Sequence, residues 1–194
     1  MSRPDVITAP PTSDSAAAAA GGDQRLRQAQ AQLQHAQDAA RPWEMSQALA
    51  ELARGYAAVG AAAAGEAFLE RALDWARLSG STDCVVDLLC ELCETLESIA
   101  AQQESEQRGS SAAARERLHD HAAEAARQAG HVSDPAWEVK VLLRVSDVLD
   151  SLGDHAEALA LQARALELMS RDWEQQRAHD GLPPLTDYSA LPDF

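Results

Sequence analysis

Apolar residues recur at intervals of three and four along most of this chain, which is the spacing of one face of an α-helix. Gly and Pro interrupt the pattern at regular intervals, and long runs of Val, Ile, Thr or Tyr that would favour a β-strand are absent from the sequence. The pattern therefore predicts an all-α protein, in which amphipathic helices alternate with short turns.

The interruptions predict seven helices. Asp23 is expected to cap a first helix, rich in Gln and Ala, that ends near Ala40. Pro42 suits the first turn of the next helix, and Gly60 suits its end. The remaining predicted helices cover 63–79, 83–105, 112–129, 135–152 and the stretch from the Gly153 turn to about Arg171.

One pattern occurs twice, at an offset of 93 residues that carries Gly60 onto Gly153. The first copy reads Leu52-Ala53-x-x-Tyr56-x-x-x-Gly60, followed by Arg71-Ala72-Leu73-Asp74. The second reads Val145-Ser146-x-x-Leu149-x-x-x-Gly153, followed by Arg164-Ala165-Leu166-Glu167. Each copy describes two amphipathic helices around a tight turn. Such a pair cannot bury its apolar faces alone, so it must stack on neighbours.

The domain organisation follows from these helices. Residues 1–22, rich in Pro, Ser, Thr and Ala, are predicted to be disordered, and 23–41 form an N-terminal helix. A helical repeat domain is predicted over 42–175, with a diverged middle copy that contains the polar insertion 102–111. Residues 176–194 are predicted to be a flexible tail, for which disorder, a docking motif and a strap over the scaffold remain alternatives.

The charge balance narrows the choice of partner. The net charge is −15 and the isoelectric point is about 4.6. Nucleic acid and anionic membrane surfaces are therefore excluded as partners, and a basic face is favoured. No stretch approaches the roughly 18 apolar residues of a membrane span, and a secretory signal is not expected because the apolar run Ala16 to Ala20 is too short. Three cysteines within ten residues are not a disulfide framework, so a cytoplasmic location is expected.

Candidate chemistry is sparse. Cys90 and Cys93 have the spacing of a metal or redox pair, but they lie in the middle of a helix in an apolar stretch. Core thiols are the favoured interpretation, with redox sensitivity and metal binding as alternatives. His119 and His121 lie on different helix faces, which argues against a shared metal. No nucleophile, phosphate-loop or zinc-protease motif is present. The prediction is a non-enzyme with no cofactor and no metal.

Residues 45–78 and 138–171 resemble the tetratricopeptide repeat. In the first copy the residues that carry the resemblance are Leu52, Ala53, Tyr56, Gly60, Phe68 or Leu69, and Ala72-Leu73. In the last copy they are Val145, Ser146, Leu149, Gly153, Ala158 and Ala165-Leu166. From Leu52 to Leu92 the period is 40 residues, against about 34 in the family, which resembles its longer-repeat variants.

The resemblance implies an α/α superhelical repeat of about three helix-turn-helix units plus the N-terminal helix. Its concave groove would be lined by the first helix of each unit. The side chains expected to line it are Gln47, Arg54, Asp87, Cys90, Glu94, Glu97, Lys140, Leu143, Asp147 and Asp150. The family's clamp for carboxylate-ended peptides needs several Lys, Arg and Asn. This chain has one Lys and no Asn, so that activity is not expected.

The resulting hypothesis is a non-catalytic interaction scaffold, adaptor-like or chaperone-like, that binds a basic or mixed-charge peptide or helix in an acidic groove. The alternative from another class is a sensor or regulatory subunit of a bacterial signalling or transcription system. A homodimer is a further expectation. No later repeat covers the last helix, so Leu166 and Met169 would lie on an exposed face through which two copies could associate.

Overall fold

Seven α-helices make up the computed structural model, which describes residues 13–106 and 111–180. The helices are α1 (Ser13–Ala39), α2 (Pro42–Ala58), α3 (Ala62–Ser79), α4 (Thr82–Ser105), α5 (Ala112–Ala129), α6 (Pro135–Leu152) and α7 (His155–His179). No strand occurs in these two ranges. The predicted all-α class is confirmed, as are the three helix pairs that follow an N-terminal helix.

The chain divides into two compact units, with the boundary after Gly80. In the first unit α2 packs against both α1 and α3. Its core combines Leu49 and Leu52 of α2 with Leu73 of α3, all nearly inaccessible to solvent. The rings of Tyr56 and Phe68 stack with their centroids 5.2 Å apart, which ties the end of α2 to α3.

The second unit is built around α4. This helix packs against α5 and, more lightly, against α6, while α6 packs against α5 and α7. Eleven α4 residues are buried, from Cys84 to Ala100, and they meet a surface of Ala and Leu on α5 and of Val and Leu on α6. The small Ala side chains of α5 let the helix axes approach closely, which explains how a chain so rich in Ala builds a core.

The ends of the central helices are fixed by local hydrogen bonds. Gly153 ends α6 with φ of 92°, a left-handed conformation that favours glycine, as its place in the repeated pattern predicts. Ser81 caps α4 by accepting a bond from the Cys84 N–H. Asp83 accepts bonds from the Ser133 hydroxyl (2.6 Å) and N–H (2.9 Å), and both lower its pKa. The segment before α6 is thereby tied to the start of α4.

Two predicted helix ends are wrong. Helix α1 begins at Ser13 and runs through Asp23, so Asp23 is not its cap, and residues 13–22 are helical rather than disordered. Five consecutive Ala residues, strong helix formers, precede Gly21 and explain the earlier start. Helix α7 continues to His179 instead of ending near Arg171, because 172–179 contain good helix formers and neither Gly nor Pro.

The predictions for residues 1–12 and for the tail beyond residue 180 fall outside the described residues. Within the part of the chain that is described, none of the helices combines the length and apolarity that a bilayer crossing requires.

Candidate interaction site

Most of the predicted groove residues lie on α4 and α6, which are neighbours in the second unit. Asp87, Glu94 and Glu97 are exposed on α4. The exposed residues of α6 include Lys140, Leu143, Asp147 and Asp150. We call the five carboxylates in these two groups, Asp87, Glu94, Glu97, Asp147 and Asp150, the acidic face. Gln47 and Arg54 are exposed on α2 in the first unit, where Arg54 pairs with Glu51 at 2.6 Å.

The acidity of α4 follows from how much of the helix is buried. Between Cys84 and Ala100 the exposed residues are the carboxylates Asp87, Glu94 and Glu97, together with the hydroxyl of Ser98. Because buried positions occupy most of the circumference, only a narrow strip of the helix meets water. Charged and polar side chains occupy that strip, where they remain solvated.

Arg144 is a functional candidate that the sequence did not reveal. It lies on α6 and forms an ion pair with Glu94 on α4 across the acidic face. Both side chains are about half exposed, so the pair contributes roughly 0–1 kcal/mol to stability. Its main effect is to neutralise one of the five carboxylates. Spacing alone does not show this pairing, because the facing of two helices depends on their rotation about their axes.

Glu97 on α4 and Asp147 on α6 lie close enough for their charges to interact, and neither forms an ion pair among the described residues. Partial burial raises the pKa of Glu97, and the nearby Asp147 carboxylate raises it further. The two like charges are therefore held close together at neutral pH. A cationic group beside them would offset both the partial burial of the Glu97 charge and the repulsion between the two carboxylates.

Asp150, about one turn after Asp147 on α6, is paired differently. The imidazole of His155, in the first turn of α7, lies 2.6 Å from it through Nδ1. Both side chains are exposed, as expected for His155 in the turn after Gly153. The pair adds little stability, but it leaves Asp150 less available to a partner than Glu97 and Asp147.

Cys90 is a correction to the predicted groove. It is 4% exposed, so it packs inside the second unit and does not present a surface to a partner. Cys84 and Cys93 are buried as well, and the three thiols form no disulfide. Burial is the main reason that the pKa of Cys90 rises to about 11 and that of Cys93 to about 12. The interpretation as core thiols therefore agrees with the structure.

Helix α7 carries an exposed apolar stripe on the side next to its packed residues Ala158 and Ala165. Its members are Leu159, Leu166, Met169 and Trp173, which are between 45% and 65% exposed. We call this set the α7 stripe. Trp173 also supports Arg177, whose Cζ lies 4.6 Å from the centroid of the indole ring.

Two filament structures are among the solved structures to which the chain is similar. One is titled "DHF58 filament" (TM-score 0.48, 21% identity over 82% of this chain and 84% of that chain). The other is titled "DHF119 filament" (TM-score 0.42, 23% identity over 83% and 85%). At these values the likeness says nothing about activity or partners. No protein-family model matches the chain, and no curated protein matches it.

The buried thiols lead to a test of the packing beneath the acidic face. At pH 8 only roughly one thousandth of a thiol with a pKa of about 11 is ionised, and burial blocks access to it. We expect Cys90 and Cys93 of the native protein to resist a thiol reagent such as DTNB, and all three cysteines to react at once in denaturant. Mass spectrometry of the labelled peptides identifies the sites. Rapid stoichiometric labelling of native Cys93 would show that α4 is not packed as described.

Proposed function

We propose that this chain is a non-catalytic interaction scaffold of the tetratricopeptide type, and that its acidic face binds a basic or mixed-charge helix or extended peptide. The observation that carries the proposal is the proximity of Glu97 on α4 to Asp147 on α6, neither of which forms an ion pair among the described residues. A Lys or Arg side chain from a partner would fit this position and relieve the repulsion.

The surroundings of these two carboxylates support the same proposal. Leu143, 39% exposed, lies one turn before Asp147 on α6 and offers an apolar contact beside the charges. Glu94 already accepts an ion pair from Arg144 on the same face, so the face accommodates a guanidinium. A partner helix with basic and apolar residues at spacings of three and four would match this arrangement.

The three helix pairs support the tetratricopeptide assignment through their order and their Gly-ended helices. We also propose a cytoplasmic location, because three thiols without a disulfide persist in a reducing compartment.

Charge variants test the acidic face with a defined probe. We expect a fluorescent amphipathic peptide, with Lys and Arg along one side, to bind the native chain in fluorescence anisotropy. The double variant Glu97→Lys/Asp147→Lys should weaken this binding by about tenfold, since two attractive charges become repulsive. The matched control is Glu116→Lys/Glu174→Lys, which makes the same change in total charge at exposed positions of α5 and α7, outside the acidic face.

Equal loss of affinity in the two double variants would contradict the proposal, because it would show that binding depends on the net charge of the chain and not on the acidic face. Circular dichroism establishes that each variant keeps its helical content.

We further propose that a second copy of the chain packs on the α7 stripe. Leu159, Leu166 and Trp173 are seven residues apart, and Met169 lies three after Leu166, so the stripe supplies three a positions and one d position of a coiled-coil heptad. The stripe is therefore complementary to itself. In two parallel copies Asp172 would occupy a g position, and Arg177 of the other copy the facing e position, so the flanking charges are complementary as well.

The dimer is tested by sedimentation velocity at micromolar concentrations. We expect a reversible dimer whose dissociation constant rises at least about tenfold in Leu166→Glu, because a carboxylate would be buried at the interface. Leu78→Glu is the matched control, since Leu78 is also well exposed, on α3, but lies outside the stripe. A native chain that remains monomeric, or a dimer insensitive to Leu166→Glu, would contradict the proposal.

A further inference from the structure

Three metal-ligating side chains converge where α5 meets the start of α7. His119 lies in the middle of α5, Asp154 is the N-cap of α7, and Glu157 lies in the first turn of α7. One ligand atom from each lies within 4.8 Å of the other two. All three side chains are partly buried, with His119 45% and Asp154 39% exposed.

Ordinary hydrogen bonding does not account for this convergence. Asp154 uses one carboxylate oxygen to accept the Glu157 N–H, as an N-cap does. Its other oxygen lies 3.7 Å from His119 Nε2, which is too long for a hydrogen bond. The second nitrogen of His119, Nδ1, is 4.0 Å from Asp120, also beyond that range. The imidazole therefore makes no hydrogen bond to the carboxylate of Asp154 or to that of Asp120.

The Glu157 carboxylate does not have the role that its position suggests. In an Asp-x-x-Glu capping box, the Glu side chain accepts a bond from the N-cap N–H. Here the Asp154 N–H donates instead to the Leu149 carbonyl, at 2.9 Å, where it closes the end of α6. Within the described residues the Glu157 carboxylate has no hydrogen bond or ion pair, so it is available to a ligand.

The balance of charge among the three side chains also favours binding of a cation. Two carboxylates meet one imidazole, and none of the three groups pairs with a Lys or Arg of the described chain. Two ligand atoms that each lie about 2.0–2.2 Å from an ion are roughly 3–4 Å apart, and the separation of 3.7 Å falls in that range. One imidazole nitrogen and two carboxylate oxygens are a donor set that suits Zn²⁺ and related divalent ions.

We propose that His119, Asp154 and Glu157 form a binding site for a divalent transition-metal ion of the Zn²⁺ class. The bound ion would link α5 directly to the start of α7. Both of these helices also pack against α6. Three protein ligands leave at least one coordination position to water or to a ligand from another molecule. The ion therefore both fixes the base of α7 and presents an open coordination position at the surface of the second unit.

The test is a calorimetric titration of Zn²⁺ into the full chain, with Co²⁺ as a spectroscopic probe of the ligand set. We expect one equivalent to bind, visible absorption bands for the Co²⁺ form, and a higher Tm in the presence of Zn²⁺. His119→Gln and Glu157→Gln should each lower the Zn²⁺ affinity by about tenfold or more. Asp154→Asn should also weaken binding while it keeps the helix cap, because Asn caps as well as Asp.

His155→Gln is the matched control, because His155 is a neighbouring, exposed histidine beside the Asp150 carboxylate and outside the proposed site. Its affinity for Zn²⁺ should equal that of the native chain. The proposal is overturned if neither ion binds at millimolar concentration, or if His155→Gln weakens binding as much as His119→Gln. Unchanged Tm values of the metal-free variants exclude a loss of folding as the cause.

Discussion

The burial of α4 is the constraint on which the second unit depends. Eleven of its 24 residues are shielded from water, including Leu89, Leu92 and Leu96, which have no measurable exposure. A fully buried Leu contributes about 1.5–3 kcal/mol of transfer free energy, and an isolated helix of this length cannot gain it. The α5 and α6 helices must therefore pack on α4, and the Ser133–Asp83 bonds hold the approach to α6 in place.

The same constraint shapes the chemistry at the surface. Because α4 is buried on most of its circumference, its exposed charged residues lie on one strip, and the packing of α6 places more carboxylates beside that strip. The result is the acidic face, in which Arg144 neutralises Glu94 while Glu97 and Asp147 oppose each other. Burial also keeps the thiols of Cys90 and Cys93 protonated, so a motif with redox spacing becomes part of the core.

Helical periodicity and the Gly-ended repeats were sufficient to predict seven helices, most of their ends and the exposure of most groove residues. Helix ends without a stop signal were harder, since the Ala run before Gly21 and the polar residues after Arg171 continue a helix equally well. The burial of Cys90, the pairing of Arg144 with Glu94 and the meeting of His119 with Glu157 depend on how helices rotate and slide against each other. Spacing within one helix does not determine these contacts.

Native-state hydrogen exchange tests most directly whether α4 is the centre of the second unit. We predict that amides from Val86 to Ile99 exchange only through global unfolding of that unit, so their opening free energies agree with the free energy of unfolding measured in denaturant. Amides in the last turns of α7, where the surrounding residues are exposed, should open with much lower free energies. Exchange of the α4 amides as fast as those of α7 would contradict the account.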